Sequence, residues 1–558
     1  MRHHSRPSSA SWRHSLLAPV LTVTLLAMAI LPAGAQDNPL FRHIPPDAAA
    51  VYHVNLASIS SKIGWQDLIK NIPLGKMKMK QEQQDAIMDP SSAGVDIRGS
   101  IVIANSNSDM LDSAAYTTFM AQLVDSAKFR KFVHGLFPDI HIRSYPDKSY
   151  AVSDKTACIA WNKNMAVLVH VRPPIKALMD RWQDKSKKGK EEPGKPMTVP
   201  SESEYRLAAQ RRCLSALKGF DHTYYTTDPI FKAEFSNDAD IQMCMEHGSY
   251  LKGLSKMIPP KAMGGMNPDA FDLFDKKFTE VRFENGGLTV RGRLILKPDV
   301  AASLEKYHAP AFNNDLVARL PKGKLLAMVS VRTDLSMFGD MMKKFGMSQK
   351  LDSALAEKGL SLSDLANALK GDFLLAVLGT DKKDSAGKPK PDIYFIASVG
   401  DLSALHNLGM ELMKAAAKDS ATAAADTSKH KKHDDFRHIV ENAAVHDGLL
   451  VISGSKEASE GYFSNTERRN TDFLTDNLRQ SPSFLWIDLK AIISYLGDAL
   501  SGQPNQEKTK AILEKLSVLD KLILSGGAIH NGEINTSFEL RTSNPNENIL
   551  KTLMSLAH

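Results

Sequence analysis

Residues 41–71, FRHIPPDAAAVYHVNLASISSKIGWQDLIKN, and residues 316–346, LVARLPKGKLLAMVSVRTDLSMFGDMMKKFG, read in the same order. Each has a short lead-in, a proline, a small polar turn, an apolar strand and an amphipathic helix. Pro46 aligns with Pro321, residues 51–56 with residues 326–331, and Trp65 falls in the same helix as Met337. A pairing at this scale predicts two divergent copies of one unit, and that decides the architecture.

Outward from these stretches the two halves continue in step. Gly99 and Gly371 each introduce an apolar strand, 101–104 and 373–378. Hairpins follow at Asn162-Lys163-Asn164 and at His446-Asp447-Gly448, then strands at 239–245 and 483–488. Asn285-Gly286 and Asn531-Gly532 are strong hairpin turns, because both central positions of such a turn favour residues that tolerate a positive φ. Helices at 300–307 and 546–558 close the halves. The expected fold is α+β: two tandem divergent repeats, 36–310 and 311–558, each a mainly antiparallel sheet with helices on one face. Whether the copies share one sheet is open at this level. Polar stretches at 181–203, 381–391 and 418–435 have little to bury and are expected as solvated loops.

The first 35 residues stand apart. Arg2, Arg6 and Arg13 precede an apolar core, 16–31, and Ala33-Gly34-Ala35 supplies small residues for cleavage before Gln36. This pattern predicts a signal peptide and an exported chain, periplasmic or outer-envelope associated. Pro19 interrupts the apolar run, which is short for a membrane span. No cysteine follows it, so no lipid attachment is expected. Removing its three arginines takes the net charge from +7 to +4. That value, with both signs interspersed, excludes a nucleic-acid footprint. No transmembrane segment is expected after cleavage, although peripheral membrane association is compatible with the charge. Cys158, Cys213 and Cys244 are the only cysteines. If two pair, Cys213 with Cys244 is the first choice, while buried free thiols fit equally well.

The chain carries no G-x-S-x-G elbow, H-E-x-x-H, P-loop or G-x-G-x-x-G pattern. Glu246-His247 could act together after a strand but is weighed as surface. His430 to Asp435 has metal-ligand residue types, yet its lysines oppose a cation. Asn237-Asp238-Ala239-Asp240 resembles part of a calcium loop without the later glycine and glutamate, and reads as a turn. Methionines such as Met337 and Met341 fall at helical spacing, either as core filler or as an adaptable groove. Asp-Ser-Ala recurs at Asp112, Asp125, Asp352, Asp384 and Asp419. It resembles an acceptor for envelope O-glycosylation, with Ser385 and Ser420 as candidates, while Asp and Ser also simply begin helices. No catalytic, metal or cofactor residue is assigned. The expected function is a non-enzymatic binding or scaffolding module for another envelope protein. The alternatives are a carrier for a lipid or other apolar ligand, and a hydrolase with dispersed catalytic residues.

Ile44-Pro45-Pro46-Asp47-Ala48, the strand ending Val54-Asn55-Leu56 and the duplicated plan resemble the bacterial cell-envelope proteins grouped as domain of unknown function 4836. The resemblance spans essentially the whole mature chain. It implies the two-repeat architecture and the envelope compartment, and it transfers no site residue.

Overall fold

The computed structural model describes residues 38–70, 81–106, 114–136, 140–154, 156–172, 202–246, 273–307, 312–344, 353, 355–356, 361–380, 382, 390–411, 441–500 and 506–556. The expected signal segment, Ser385, Ser420 and the stretch 418–435 lie outside them. Of 181–203, only Glu202 and Ser203 are described, as the start of the helix Glu202–Lys218.

Eighteen strands among the described residues form one sheet. The first ten are β1 (Ala48–Asn55), β2 (Ser100–Ser106), β3 (Ala115–Gln122), β4 (Arg143–Ser144), β5 (Tyr150–Asp154), β6 (Ala157–Trp161), β7 (Met165–Arg172), β8 (Ile241–Glu246), β9 (Phe274–Glu284) and β10 (Gly287–Leu296). The other eight are β11 (Lys324–Arg332), β12 (Leu369–Gly379), β13 (Asp392–Val399), β14 (Ala443–His446), β15 (Leu449–Ile452), β16 (Ser483–Asp488), β17 (Leu519–His530) and β18 (Glu533–Thr542). Every pairing is antiparallel. The order across the first half is β4-β5-β6-β7-β3-β2-β1-β8-β9-β10. The sheet continues β18-β17-β16-β11-β12-β13-β15-β14. The question left open by sequence is answered: β10 pairs with β18, and the halves share one sheet.

The seam register is symmetric. Arg291, six residues beyond Asn285, faces Ser537, six beyond Asn531. Leu296 N–H donates to the Gly532 carbonyl at 2.8 Å, and Thr542 N–H donates to the Gly286 carbonyl at 2.8 Å. Register irregularities also recur, between Ala48 and Ala50 in β1 and between Leu325 and Ala327 in β11.

Two cores lie on one face of the sheet. Val51, Val102, Val167, Val169 and Phe278 pack with Ala209, Cys213 and Ala216 of the helix Glu202–Lys218. Met328, Leu374, Ile396, Val451 and Trp486 pack with Leu316, Val317 and Tyr462. At the first edge the alternate residues Val152, Ile159, Trp161 and Ala166 face the other way, toward Phe129 and Val133 of the helix Ser126–Leu136. Helices therefore occupy both faces there.

Some local expectations shift. The single amphipathic helix expected after the first strand is two, Leu56–Lys62 and Trp65–Lys70. Asn55 caps the first by accepting from Ser58 N–H at 3.0 Å, and buried, extended Ile63 ends it before Gly64. The Cys213–Cys244 pairing is not formed, and all three thiols are free and buried. Cys213 instead donates to the carbonyls of Cys158 and Val167 at 3.3 and 3.2 Å, since its helix lies over β6 and β7. Burial pushes the Cys244 thiol up to about 12, which keeps it protonated and unreactive.

A buried polar network ties the lead-in to the sheet. Gln242 Nε2 donates to Glu234 O and Asn237 Oδ1, so its Oε1 faces His53 Nδ1 at 2.6 Å. Asn38 Oδ1 accepts from Leu40 N–H, so its Nδ2 faces His53 Nε2 at 3.1 Å, beside Ser100 Oγ at 2.9 Å. The partners therefore fix the neutral tautomer with the proton on Nδ1. Burial holds His53 and His43 below their ordinary value of 6.5. Stability from this neutral preference is complete above pH 6.5 and is lost as pH falls through the lower folded values. The expected slope is at most about 1.4 kcal/mol per pH unit for each histidine. Urea midpoints at pH 7.5 and 5.0 test this; His53→Gln should flatten the difference, and an equal drop in the variant counts against the network.

Candidate functional site

On the core face, the seam between the two packed lobes is a cleft of about 480 Å3. Glu234, Phe278 and Glu280 line one wall, and Gln480, Ser525 and Asn535 the other. Arg291 and Arg293 rise from β10 on its floor, because antiparallel partners share a face and Arg291 faces Ser537.

Arg293 is a clamp across the seam. Its Nη1 donates to Glu234 at 2.6 Å and its Nε to Glu533 at 2.7 Å, with Nη2 on the second Glu533 oxygen. Hydrogen bonding to Glu533, then to Glu234, raises the guanidinium above its ordinary value. Arg291 is held more loosely, 3.5 Å from Glu280, and its side chain is mostly exposed. Glu280 is itself engaged by Asn237 Nδ2 at 2.9 Å and Arg282 at 3.4 Å. The cleft thus offers one adaptable cation among amides and hydroxyls. Among the described residues its lining holds neither histidine nor cysteine. No group of three or more metal-ligating side chains occurs among the described residues.

The opposite face of the same sheet is apolar. One row of paired residues runs Ile241, Val281, Val290, Phe538, Leu524, Leu485, Val329, Leu375, Phe395. The neighbouring row runs Phe283, Leu288, Leu540, Leu522, Ile487, Ala327, Val377, Ile393. Neither row holds a charged residue. Leu524 is 44% exposed, Leu375 41% and Ile393 50%, and the other members of the two rows are half-buried, whereas Leu374 and Ala376 on the core face are at 0%. An antiparallel sheet with one wet face ordinarily alternates apolar and polar residues. Here the second face is apolar as well and is covered only in part: the helix Leu489–Leu500 packs against β17 and β11 with Tyr495 beside Gly379, and Leu296, Val300 and Leu304 pack with Ile529 and Ile534.

The sequence candidates fare differently. Asp240 is spent on structure: it accepts from Lys62 Nζ at 2.9 and 2.7 Å, Ser58 Oγ at 2.7 Å and Phe283 N–H at 2.6 Å. Asp238 pairs with Arg282 at 2.7 Å. The Asn237–Asp240 stretch is therefore a turn anchor. His247 and the 430–435 stretch fall outside the described residues. Met337 packs with Leu304 and Ile529 as core. The seam cleft and the apolar rows escaped sequence reading because both arise from the β10–β18 pairing. No helix among the described residues is long and apolar enough to cross a membrane.

No family model matches the chain, and neither does any curated protein. Among solved structures it is similar to crystal forms IV, III and I of TP0453, at 8%, 7% and 8% identity. Each match covers 50% of this chain and 89%, 91% and 90% of the other, with TM-scores of 0.28, 0.27 and 0.27. Likeness at that level bears on neither fold nor function.

Proposed function

We propose that this chain is a non-catalytic, exported envelope module in which two divergent copies of one α+β unit bind a partner where they meet. The supporting observation is the seam cleft, whose walls come from both halves and whose one loosely held cation is Arg291. Concave sites with a few convergent polar groups are the ordinary form of a binding site, and sites favour the junction between structural units. The envelope setting carries forward the N-terminal pattern and the resemblance to domain of unknown function 4836.

Native mass spectrometry of the protein purified gently from its own envelope tests this reading. A discrete companion lost on denaturation is expected. Arg291→Ala should weaken its retention about tenfold, or ~1.4 kcal/mol, while leaving stability within about 0.5 kcal/mol because the side chain is mostly exposed. A bare mass in the natural protein, or a companion indifferent to Arg291→Ala, would sink it.

A further inference from the structure

We propose that the uncharged rows on this face of the sheet are a binding site for the acyl chain of a lipid, separate from the seam cleft and resting on different residues. Its floor is the run Val281, Val290, Phe538, Leu524, Leu485 and Val329, one residue from each of six neighbouring strands. At about 4.8 Å between strands this run is roughly 24 Å long, on the scale of an extended long acyl chain. Leu524 lies at its centre with 44% of its surface open and the other five are half-buried; Val331, beside Val329 on β11, is 39% open, and Leu375, beyond the end of the run, 41%. Contiguous apolar surface left open in a folded chain marks a contact with something apolar.

The hydrogen bonding of the sheet selects the occupant. Each of β9, β10, β18, β17, β16 and β11 is paired on both sides, so the floor has no free strand edge. A peptide laid across it would bury amides and carbonyls against side chains that offer them no partner. An acyl chain has no such groups to satisfy. Because neither row carries charge, the floor holds no counter-ion for an acidic or basic ligand, and any headgroup must sit beyond it.

The test titrates the delipidated protein with cis-parinaric acid, a free fatty acid whose fluorescence rises in apolar surroundings. Leu524→Lys and Leu375→Lys put a cation on the floor and just past its end, at positions already open to water, so they leave the cores intact; the thermal midpoint checks this. Saturable binding is expected, weakened at least tenfold in both variants. It should be unchanged in Arg291→Ala and in Ile512→Lys, a control at an exposed position on the helix Gln506–Leu516. That contrast also separates this site from the cleft, since loss of the cleft companion leaves fatty-acid binding untouched. No saturable binding, or equal affinity in folded Leu524→Lys, overturns the proposal.

A second arm mixes the protein with phosphatidylcholine vesicles. Transfer of single phospholipids into the protein fraction supports a phospholipid as the source of the chain, whereas fatty-acid binding without transfer points to free fatty acid. Co-sedimentation with intact vesicles without fatty-acid binding overturns the proposal in favour of a membrane surface. Self-association abolished by Leu524→Lys, again without fatty-acid binding, reassigns the face to a second copy of the chain.

Discussion

Replacing Phe231 with alanine should lower stability by about 3–5 kcal/mol, read as a shift in urea midpoint at unchanged slope. The ring is at 0% exposure and stacks on Phe235 at 4.2 Å with 16° between planes. Phe41, Tyr225 and Tyr224 meet it edge-on at 5.5, 5.1 and 5.8 Å. Truncation removes the stack and the three edge contacts together, and rigid strands beneath limit how far the site can collapse. Folded domains are stable by about 5–15 kcal/mol in all, so this is a large fraction. Phe231→Leu, which retains most of the volume, should cost about 1–1.5 kcal/mol. A shift below about 1 kcal/mol for Phe231→Ala would mean that the aromatic cluster is not a cooperative part of the core.

Gly371→Ala should destabilise by about 2–4 kcal/mol. Gly371 has φ +77°, and an added Cβ would lie 1.8 Å from the Thr333 carbonyl oxygen. That neighbour is backbone, and Thr333 N–H in turn donates to the Gly371 carbonyl at 2.8 Å, so neither side can yield without breaking the end of the β11–β12 ladder. Gly99 reads in the sequence as its analogue, yet it carries no positive φ and its added Cβ would meet only the Gln122 side chain. Gly99→Ala should therefore cost under about 1 kcal/mol, because Gln122 can rotate away. Thermal melts of the two variants side by side decide the matter; equal losses would show that the positive φ is not the cause.

Elements set by local chemistry were legible. The hairpin turns at Asn285-Gly286 and Asn531-Gly532 form where their φ tolerance places them, with Gly286, Asn531 and Gly532 at positive φ. β16 matches its expected span, 483–488. What escaped was long-range. His53 and Gln242 are 189 residues apart, and no local pattern announces that one fixes the tautomer of the other. The strand at 373–378 reads as fully buried because its run is continuously apolar, yet Leu375 is 41% exposed. Composition reports that both faces are apolar and is silent on which face is covered. The irregularities in β1 and β11 stand two residues off the alignment of 51–56 with 326–331. The matching irregularities place Ala49 opposite Leu326, an offset that period-two patterning cannot see, because a slip of two keeps every side chain on its own face.

The seam has a consequence for how its two sides can vary. Arg291 faces Ser537 at the centre of a register that maps onto itself when the halves are exchanged. That is the geometry of an isologous dimer contact, drawn inside one chain. A covalent linker makes such a contact effectively intramolecular, so it forms at any protein concentration. Each side is then free to change without the other changing with it. An arginine against a serine at the axis itself is an asymmetry that a tethered pair tolerates and a pair of identical subunits cannot acquire.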